Sequence, residues 1–208
     1  ALVEENTELN IPTLVSVSET PEGWCLIRDK VEGKTLAQLM EEEPEKLQTY
    51  MEMFVDLQLI VHKQKVPAIK RLRHKLMDQI NSLKDLNATV RYELAVRLES
   101  MPKHTKLCHG DFNPSNVIVD KYGKLWIIDW AHAAQGNASA DAAMTYLLFS
   151  LEDPNKAEMY MKLFCEKSDT ARQYVSRWLP IVAAAQLTKK KEKEKEFLLR
   201  WIDVAEYQ

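Results

Sequence analysis

The segment spanning residues 107–130 constrains the fold of this chain more than any other part. It holds two short apolar runs, at residues 117–119 and 125–128, and the intervening residues 120–123 include Asp and Gly, as tight turns often do. Apolar runs rich in β-branched residues on either side of such a turn are typical of an antiparallel hairpin. The sequence therefore predicts a short β-hairpin in the middle of the chain.

Three polar side chains surround this predicted hairpin. Asp111 lies in a loop before it, Asn116 stands at the start of its first strand, and Asp129 ends its second strand. Mg²⁺ prefers oxygen ligands and keeps several waters, so one amide and one carboxylate together with phosphate oxygens can hold it. A carboxylate in a loop can accept the proton of a hydroxyl or orient that hydroxyl. Each residue alone would more often be structural, but together in this order they predict a site for phosphoryl transfer.

The rest of the chain predicts few strands and many helices. Residues 1–10 resemble the polar end of a helix, residues 11–18 and 24–27 are predicted to form a second hairpin, and Thr35 is suited to cap a helix. Apolar residues recur at intervals of three and four between 45 and 64, as in an amphipathic helix. Further helices are predicted at 68–83, 88–100, 139–151, 154–166, 168–186 and 189–205, with Tyr146, Phe149 and Trp178 in the core.

The composition is that of an ordinary globular protein. The chain has 208 residues, 28% of them charged, and a net charge of -3, which gives no reason to expect nucleic acid as a partner. No apolar run approaches the roughly 20 residues that a membrane span needs. The three cysteines form no C-x-x-C pair, so we expect neither a disulfide framework nor a zinc site, and a cytoplasmic location. The lysines at 189–191 are predicted to lie on a solvated helix face, and His62, His74 and His104 on exposed surfaces.

The string His-Gly-Asp-Phe-Asn-Pro-Ser-Asn at residues 109–116, followed by Ile-Ile-Asp-Trp at 127–130, resembles the signature of the aminoglycoside phosphotransferase and choline-kinase-like family. That family has a protein-kinase-like fold. The resemblance implies an α+β protein with a truncated N-terminal lobe at residues 1–33, which contains the short hairpin and the interlobe hinge. A mainly helical C-terminal lobe at 34–208 would carry the catalytic hairpin.

The resemblance also implies a reaction and its participants. The protein would transfer the γ-phosphoryl group of ATP, or of GTP, to a hydroxyl of a sugar, an aminosugar or an amino alcohol, with Mg²⁺ as the cofactor. The implied roles are a catalytic carboxylate at Asp111, magnesium ligands at Asn116 and Asp129, main-chain contacts to adenine at Asp29, Lys30 and Val31, support of the catalytic loop by His109 and Asp141, and possible acceptor contacts at Trp130 and His132.

Two features depart from the family pattern and leave alternatives open. The N-terminal lobe of the family normally has a glycine-rich phosphate loop, a strand lysine and a helix glutamate, whereas this chain has five glycines, the first of which is Gly23. Glu4, Glu5 or Glu8 is a candidate for the end of the missing helix. We expect either a fragment of an active kinase or a kinase-fold protein that binds a nucleotide or metabolite without turnover. A metal-dependent hydrolase is disfavoured, because such enzymes gather more carboxylate or histidine ligands.

The other departure is at the hinge. Residues 28–30, Arg-Asp-Lys, are more polar than the apolar, acidic and aromatic run that is usual there. Main-chain hydrogen bonds to adenine tolerate such a change, and Arg28 could equally be a surface residue.

Overall fold

The computed structural model describes residues 1–21 and 23–203, and the helices fill most of that length. The helices are Leu2–Asn6 (α1), Leu36–Glu42 (α2), Leu47–Lys63 (α3), Leu72–Ser82 (α4), Ala88–Ser100 (α5), Ala138–Glu152 (α6), Pro154–Ser168 (α7), Arg172–Ser176 (α8), Leu179–Leu187 (α9) and Glu192–Asp203 (α10). The strands are Leu14–Thr20 (β1), Gly23–Arg28 (β2), Gly33–Thr35 (β3), Lys106–Cys108 (β4), Val117–Asp120 (β5), Leu125–Ile127 (β6) and Ala134–Gly136 (β7). The predicted α+β class is confirmed.

The predicted N-terminal hairpin is present, with β1 beginning at Leu14, three residues later than predicted. The two strands are antiparallel, and Thr20 pairs with Gly23 at the turn. Arg28, at the end of β2, donates from Nη1 to the Pro12 carbonyl at 2.7 Å and to the Glu4 carboxylate at 3.2 Å. Its side chain is 28% exposed, so it is a fastening point between the hairpin and α1 and not a freely solvated residue.

The predicted central hairpin is also present. Val117 of β5 pairs with Ile127 of β6, and Ile118 pairs with Trp126. Two further pairings were not predicted: β3 extends the hairpin by pairing with β5, and β4 pairs with β7 in a separate two-stranded sheet. Together these strands fix both ends of the loop that contains Asp111, because β4 precedes that loop and β5 follows it.

Helix boundaries follow local signals. Thr35 caps α2 with a complete capping box in which Thr35 and Gln38 exchange side-chain and main-chain hydrogen bonds. The predicted single helix at 168–186 is wrong: Asp169 adopts φ 50° after α7, and a separate α9 begins at Leu179 with Pro180 in its first turn. Proline is favoured in the first turn of a helix because an amide hydrogen there has no partner within the helix, so its absence costs nothing. The helix predicted at 189–205 begins at Glu192, and residues 204–205 lie outside the described part of the chain.

The main core lies between α3, α6 and α7. Phe54 packs against Phe112 with ring centroids 4.7 Å apart and edge-on against Phe149 at 5.7 Å. Tyr146, Phe149 and Trp178 are buried, as predicted. Across residues 1–21 and 23–203, none of the helices combines the length and the apolar character that a membrane crossing requires.

Candidate active site

Asp111 occupies the loop between β4 and a short 3₁₀ helix at Pro114–Asn116. Its main-chain carbonyl accepts hydrogen bonds from the side-chain amides of Asn113 at 3.0 Å and Asn116 at 2.9 Å. Its side chain is 18% exposed, and its carboxylate lies 3.5 Å from the ammonium group of Lys189. The backbone at Asp111 is therefore fixed while its carboxylate can still be reached from the surface.

His109 joins this loop to the strand that leads to Asp129. The Asp111 amide donates to His109 Nδ1 at 3.3 Å, and His109 Nε2 lies 2.9 Å from the Ile128 carbonyl. Because a carbonyl can only accept, Nε2 carries the proton and Nδ1 is the acceptor. Burial lowers the pKa of His109, which keeps the imidazole in this neutral form at pH 7. The geometry is that of a bracing residue within the loop.

Asp141, in the first turn of α6, holds the same loop through hydrogen bonds to its carboxylate. Its carboxylate is fully buried and accepts hydrogen bonds from the Gly110 amide at 2.7 Å, the His109 amide at 3.3 Å and His62 Nε2 at 2.9 Å. Burial opposes ionisation, but the hydrogen bonds from His62 and Gly110 outweigh it and hold the pKa of Asp141 below its usual value. This arrangement fixes the main chain immediately before Asp111.

The prediction that His62 lies on an exposed surface is wrong. Only 3% of its surface is accessible, because α3 turns it inward toward Asp141. His62 stands four residues after Gln58 and eight after Phe54, so it continues one face of the helix. That face is buried at all three positions, and this regularity was the available signal. The predictions for His74 and His104 are confirmed, since both are exposed.

A second buried polar network supports the loop at Phe112. The Thr145 hydroxyl donates to the Phe112 carbonyl at 2.8 Å and accepts from Gln58 Nε2 at 3.0 Å. Gln58 Oε1 in turn accepts from the Tyr160 hydroxyl at 2.6 Å. Each of these polar groups has a hydrogen-bond partner, as buried polar groups require. Phe112, the residue after Asp111, is therefore also held in one position.

Asn116 and Asp129 lie on adjoining stretches of main chain, because the Ile128 amide donates to the Asn116 carbonyl at 3.0 Å. Asn116 uses its amide nitrogen on Asp111, and its Oδ1 accepts no hydrogen bond among the described residues. Asp129 is exposed in a left-handed conformation with φ 58°, and its carboxylate has no hydrogen bond or ion pair within that part of the chain. An amide oxygen and a carboxylate without protein partners are the donors that Mg²⁺ takes.

The proposed hinge is only partly open to a ligand. The Asp29 amide already donates to the Thr13 carbonyl at 2.9 Å, so it has no hydrogen left for adenine. The amides of Lys30 and Val31 have no partner among the described residues, and these residues line a cavity of about 240 Å³ beside Trp126. Main-chain contact with adenine is therefore available at residues 30–31 and not at the amide of residue 29.

The two candidate acceptor residues differ in their availability. Trp130 donates from its indole nitrogen to the Ile127 carbonyl at 3.1 Å, and its ring packs against His109 with centroids 4.6 Å apart. The Trp130 indole is therefore largely committed to supporting the loop. His132 is partly exposed, and burial, followed by the positive charges of Lys75 and Lys189, lowers its pKa. His132 is therefore a neutral side chain at the edge of the site.

Two lysines near Asp111 were not predicted from the sequence to belong to the site. Lys189 is exposed, as predicted for residues 189–191, but it precedes α10 and so does not lie on a helix, and its ammonium group is beside Asp111. Lys75, on α4, donates to the His132 carbonyl at 2.8 Å and lies 3.3 Å from His132 Nδ1. The pKa of Lys75 is lowered to about 8, mainly by burial. The positive charges of Lys189 and Lys70 lower it further, whereas the negative charges of Asp141 and Asp111 raise it. The one indication in the sequence that Lys75 points inward is its spacing: it lies three residues after Leu72, a buried residue of α4, and so is close to the buried face of that helix.

Comparison with known proteins gives a consistent picture. The family model described as the phosphotransferase enzyme family (APH) matches residues 9–175. Comparison with curated protein sequences finds no match. Among solved structures, a thermostable mutant of aminoglycoside phosphotransferase APH(4)-Ia in its apo form is 16% identical with a TM-score of 0.73, covering 98% of this chain and 80% of that chain. Choline kinase LicA from Streptococcus pneumoniae is 14% identical with a TM-score of 0.64, covering 98% and 77%. These likenesses show a protein-kinase-like fold.

Proposed function

This chain belongs to the phosphotransferase enzyme family, and on that premise we propose that it is a small-molecule kinase. It transfers the γ-phosphoryl group of ATP or GTP to a hydroxyl of a sugar, an aminosugar or an amino alcohol. A structure similar to this chain is a ternary complex of aminoglycoside phosphotransferase APH(4)-Ia with AMP-PNP and hygromycin B. That protein thus holds a nucleotide analogue and a small molecule together, as the proposed reaction requires.

The observation that carries this proposal is the state of Asp111. Its carbonyl is held by two asparagine amides and its amide by His109, yet its carboxylate remains accessible. A purely structural aspartate would use its carboxylate on these donors. A carboxylate on a fixed main chain, with only a long ion pair of 3.5 Å to Lys189 among the described residues, suits a group that must meet a substrate.

The chemistry follows from these positions. Asp111 orients the acceptor hydroxyl and takes its proton. The acceptor oxygen forms a bond to the γ-phosphorus, the bond from that phosphorus to the β–γ bridging oxygen breaks, and the electron pair leaves with the nucleoside diphosphate. Asn116 and Asp129 would hold Mg²⁺, which supplies positive charge to the phosphate oxygens when bound. His109 and Asp141 keep the loop from shifting, which matters because such catalysis is mostly positioning.

Titration calorimetry with Mg·ATP, followed by phosphorus NMR of the products formed with a panel of hydroxyl compounds, tests the proposal. The natural reading frame, with any residues that precede Ala1, is tested beside the 208-residue chain. Asp111→Asn should abolish transfer and leave nucleotide affinity within about threefold, because the reaction loses its base but the nucleotide loses no ligand. Asp169→Asn, which makes the same change at an exposed turn, should behave as wild type. Undiminished transfer by Asp111→Asn would refute the assignment. Nucleotide binding without transfer to any acceptor would favour a non-catalytic binding protein.

A further inference from the structure

The acceptor side of the catalytic loop carries two positive charges from separate parts of the fold. Lys75 extends from α4 to the His132 carbonyl, and Lys189 extends from the segment between α9 and α10 to Asp111. Both line one small cavity, together with Gly110, His132 and the carboxylate of Asp141, whose oxygens already accept three hydrogen bonds. The lysines thus approach the loop from two sides and share one space beside Gly110, the residue before Asp111.

These ammonium groups are poorly neutralised. Lys75 contacts only a carbonyl and an imidazole, and no carboxylate of the described residues lies within ion-pair distance of it. Lys189 has one ion pair in the described part of the chain, with Asp111, at the long distance of 3.5 Å. Nearby Lys191 is instead paired with Glu194 at 2.9 Å. Lys75 is partly buried and has no carboxylate partner, and such a charge is costly. An anion beside it would supply the missing partner, and the exposed Lys189 would add a second positive charge.

We propose that the acceptor is a hydroxyl compound bearing a carboxylate or a phosphate, and that Lys75 and Lys189 bind this acidic group while Asp111 faces the hydroxyl. The inference rests on the proposed kinase function and narrows its acceptor class. The cavity is small, at about 40 Å³. It therefore suits the acidic group alone, and the rest of the acceptor extends toward the open side of Asp111.

The same geometry couples acceptor binding to catalysis. In the free protein the Lys189 ammonium lies beside the Asp111 carboxylate and competes for it. An anionic acceptor draws Lys189 toward itself and frees that carboxylate for the hydroxyl proton. A neutral acceptor leaves the pair in place, and a polycation must put its ammonium groups beside two lysines, where like charges repel.

A matched acceptor series tests the inference. Glycerol, glycerate, glycerol 3-phosphate and 3-amino-1,2-propanediol share a three-carbon skeleton and differ in charge; hygromycin B is added as a polycation. We expect kcat/KM for at least one of the two anions to exceed that for glycerol by about tenfold or more, and the two cations to be poorest. Comparing kcat/KM for glycerate with that for glycerol 3-phosphate then shows whether the preferred acidic group is a carboxylate or a phosphate. A preference for glycerol or for a cation overturns the inference and leaves the kinase proposal standing. Absence of transfer to every acceptor overturns both.

Charge-removing variants assign the preference to these residues. Lys75→Met and Lys189→Met should each lower kcat/KM for the preferred anion by about ten- to a hundredfold, with KM for ATP within about twofold of wild type. Lys193→Met, which removes an exposed lysine on α10, is the matched control and should change neither. An anion preference that survives in both lysine variants would overturn the inference. So would an equal rise in the KM for ATP with every acceptor in Lys189→Met, since that would place Lys189 on the nucleotide.

Discussion

Replacing Asp141 by Asn tests whether the buried carboxylate fastens the catalytic loop. The substitution preserves the shape of the side chain, removes its charge, and exchanges one acceptor oxygen for an NH₂ donor. In the native protein both oxygens accept: Oδ1 from the Gly110 amide, and Oδ2 from His62 and, at a longer distance, from the His109 amide. Whichever way the new amide is oriented, its NH₂ group faces at least one N–H donor, and two donors cannot form a hydrogen bond with each other.

The expected loss of stability comes from two changes. A buried donor left without an acceptor costs about 1–3 kcal/mol, and a hydrogen bond that loses its charged acceptor weakens by about 1 kcal/mol. The free energy of unfolding should therefore fall by about 2–4 kcal/mol. A domain of ordinary stability, at about 5–15 kcal/mol, stays folded after such a loss. With a urea m-value of about 2 kcal/mol/M, the unfolding midpoint should fall by about 1–2 M.

Urea unfolding followed by circular dichroism measures this shift, with Asp169→Asn as the control of equal charge change at an exposed position. The control should move the midpoint by about 0.3 M or less. The pKa of Asp141 is below its ordinary value of 3.8, so its contribution is complete above that pH and is lost as the pH falls through the folded-state pKa. The gap between wild type and Asp141→Asn should thus close under acidic conditions. A midpoint for Asp141→Asn as close to wild type as that of the control, at an unchanged m-value, would refute the reasoning.

Three further outcomes are expected. Asp129→Ala should weaken Mg·ATP binding by about tenfold or more and metal-free ATP much less, because it removes a metal ligand; equal losses in calorimetry would mark Asp129 as structural. Gly110→Ala should destabilise the protein by about 2–4 kcal/mol, since its Cβ would lie 2.6 Å from the His132 carbonyl oxygen, whereas Gly123→Ala, with a similar positive φ and open space, should cost about 1 kcal/mol; equal urea midpoints would contradict this. For an anionic acceptor, kcat/KM should fall as the pH rises through about 8, where Lys75 loses its proton, and Lys75→Arg, which stays charged, should abolish that fall; a fall that persists in the arginine variant would assign it to another group.

The parts of the fold that could be predicted from sequence are those fixed by near neighbours. The central hairpin follows from two apolar runs and one turn, and the capping box at Thr35 involves residues three apart. The pairing of Gly33 with Asp120 was not predictable in this way, because a strand of three residues shows no alternation and its partner lies far along the chain. The break before Leu179 had a local signal in Pro180, which outweighs the helical character of the surrounding residues.

The residues of the candidate site differ in the same way: some could be predicted from a short stretch of sequence, and others depend on distant parts of the chain. Asp111, Asn116 and Asp129 fall within one short stretch, so their order alone suggests their chemistry, and their roles stay predictions that the variants above can test. Lys75 and Lys189 are more than a hundred residues apart, and each taken alone resembles an ordinary surface lysine. Only the packing of α4 against α9 brings them to one loop. Within a shared reaction, acceptor preference depends on such distant contributions to charge, which is why a local motif can indicate phosphoryl transfer yet leave the acceptor open.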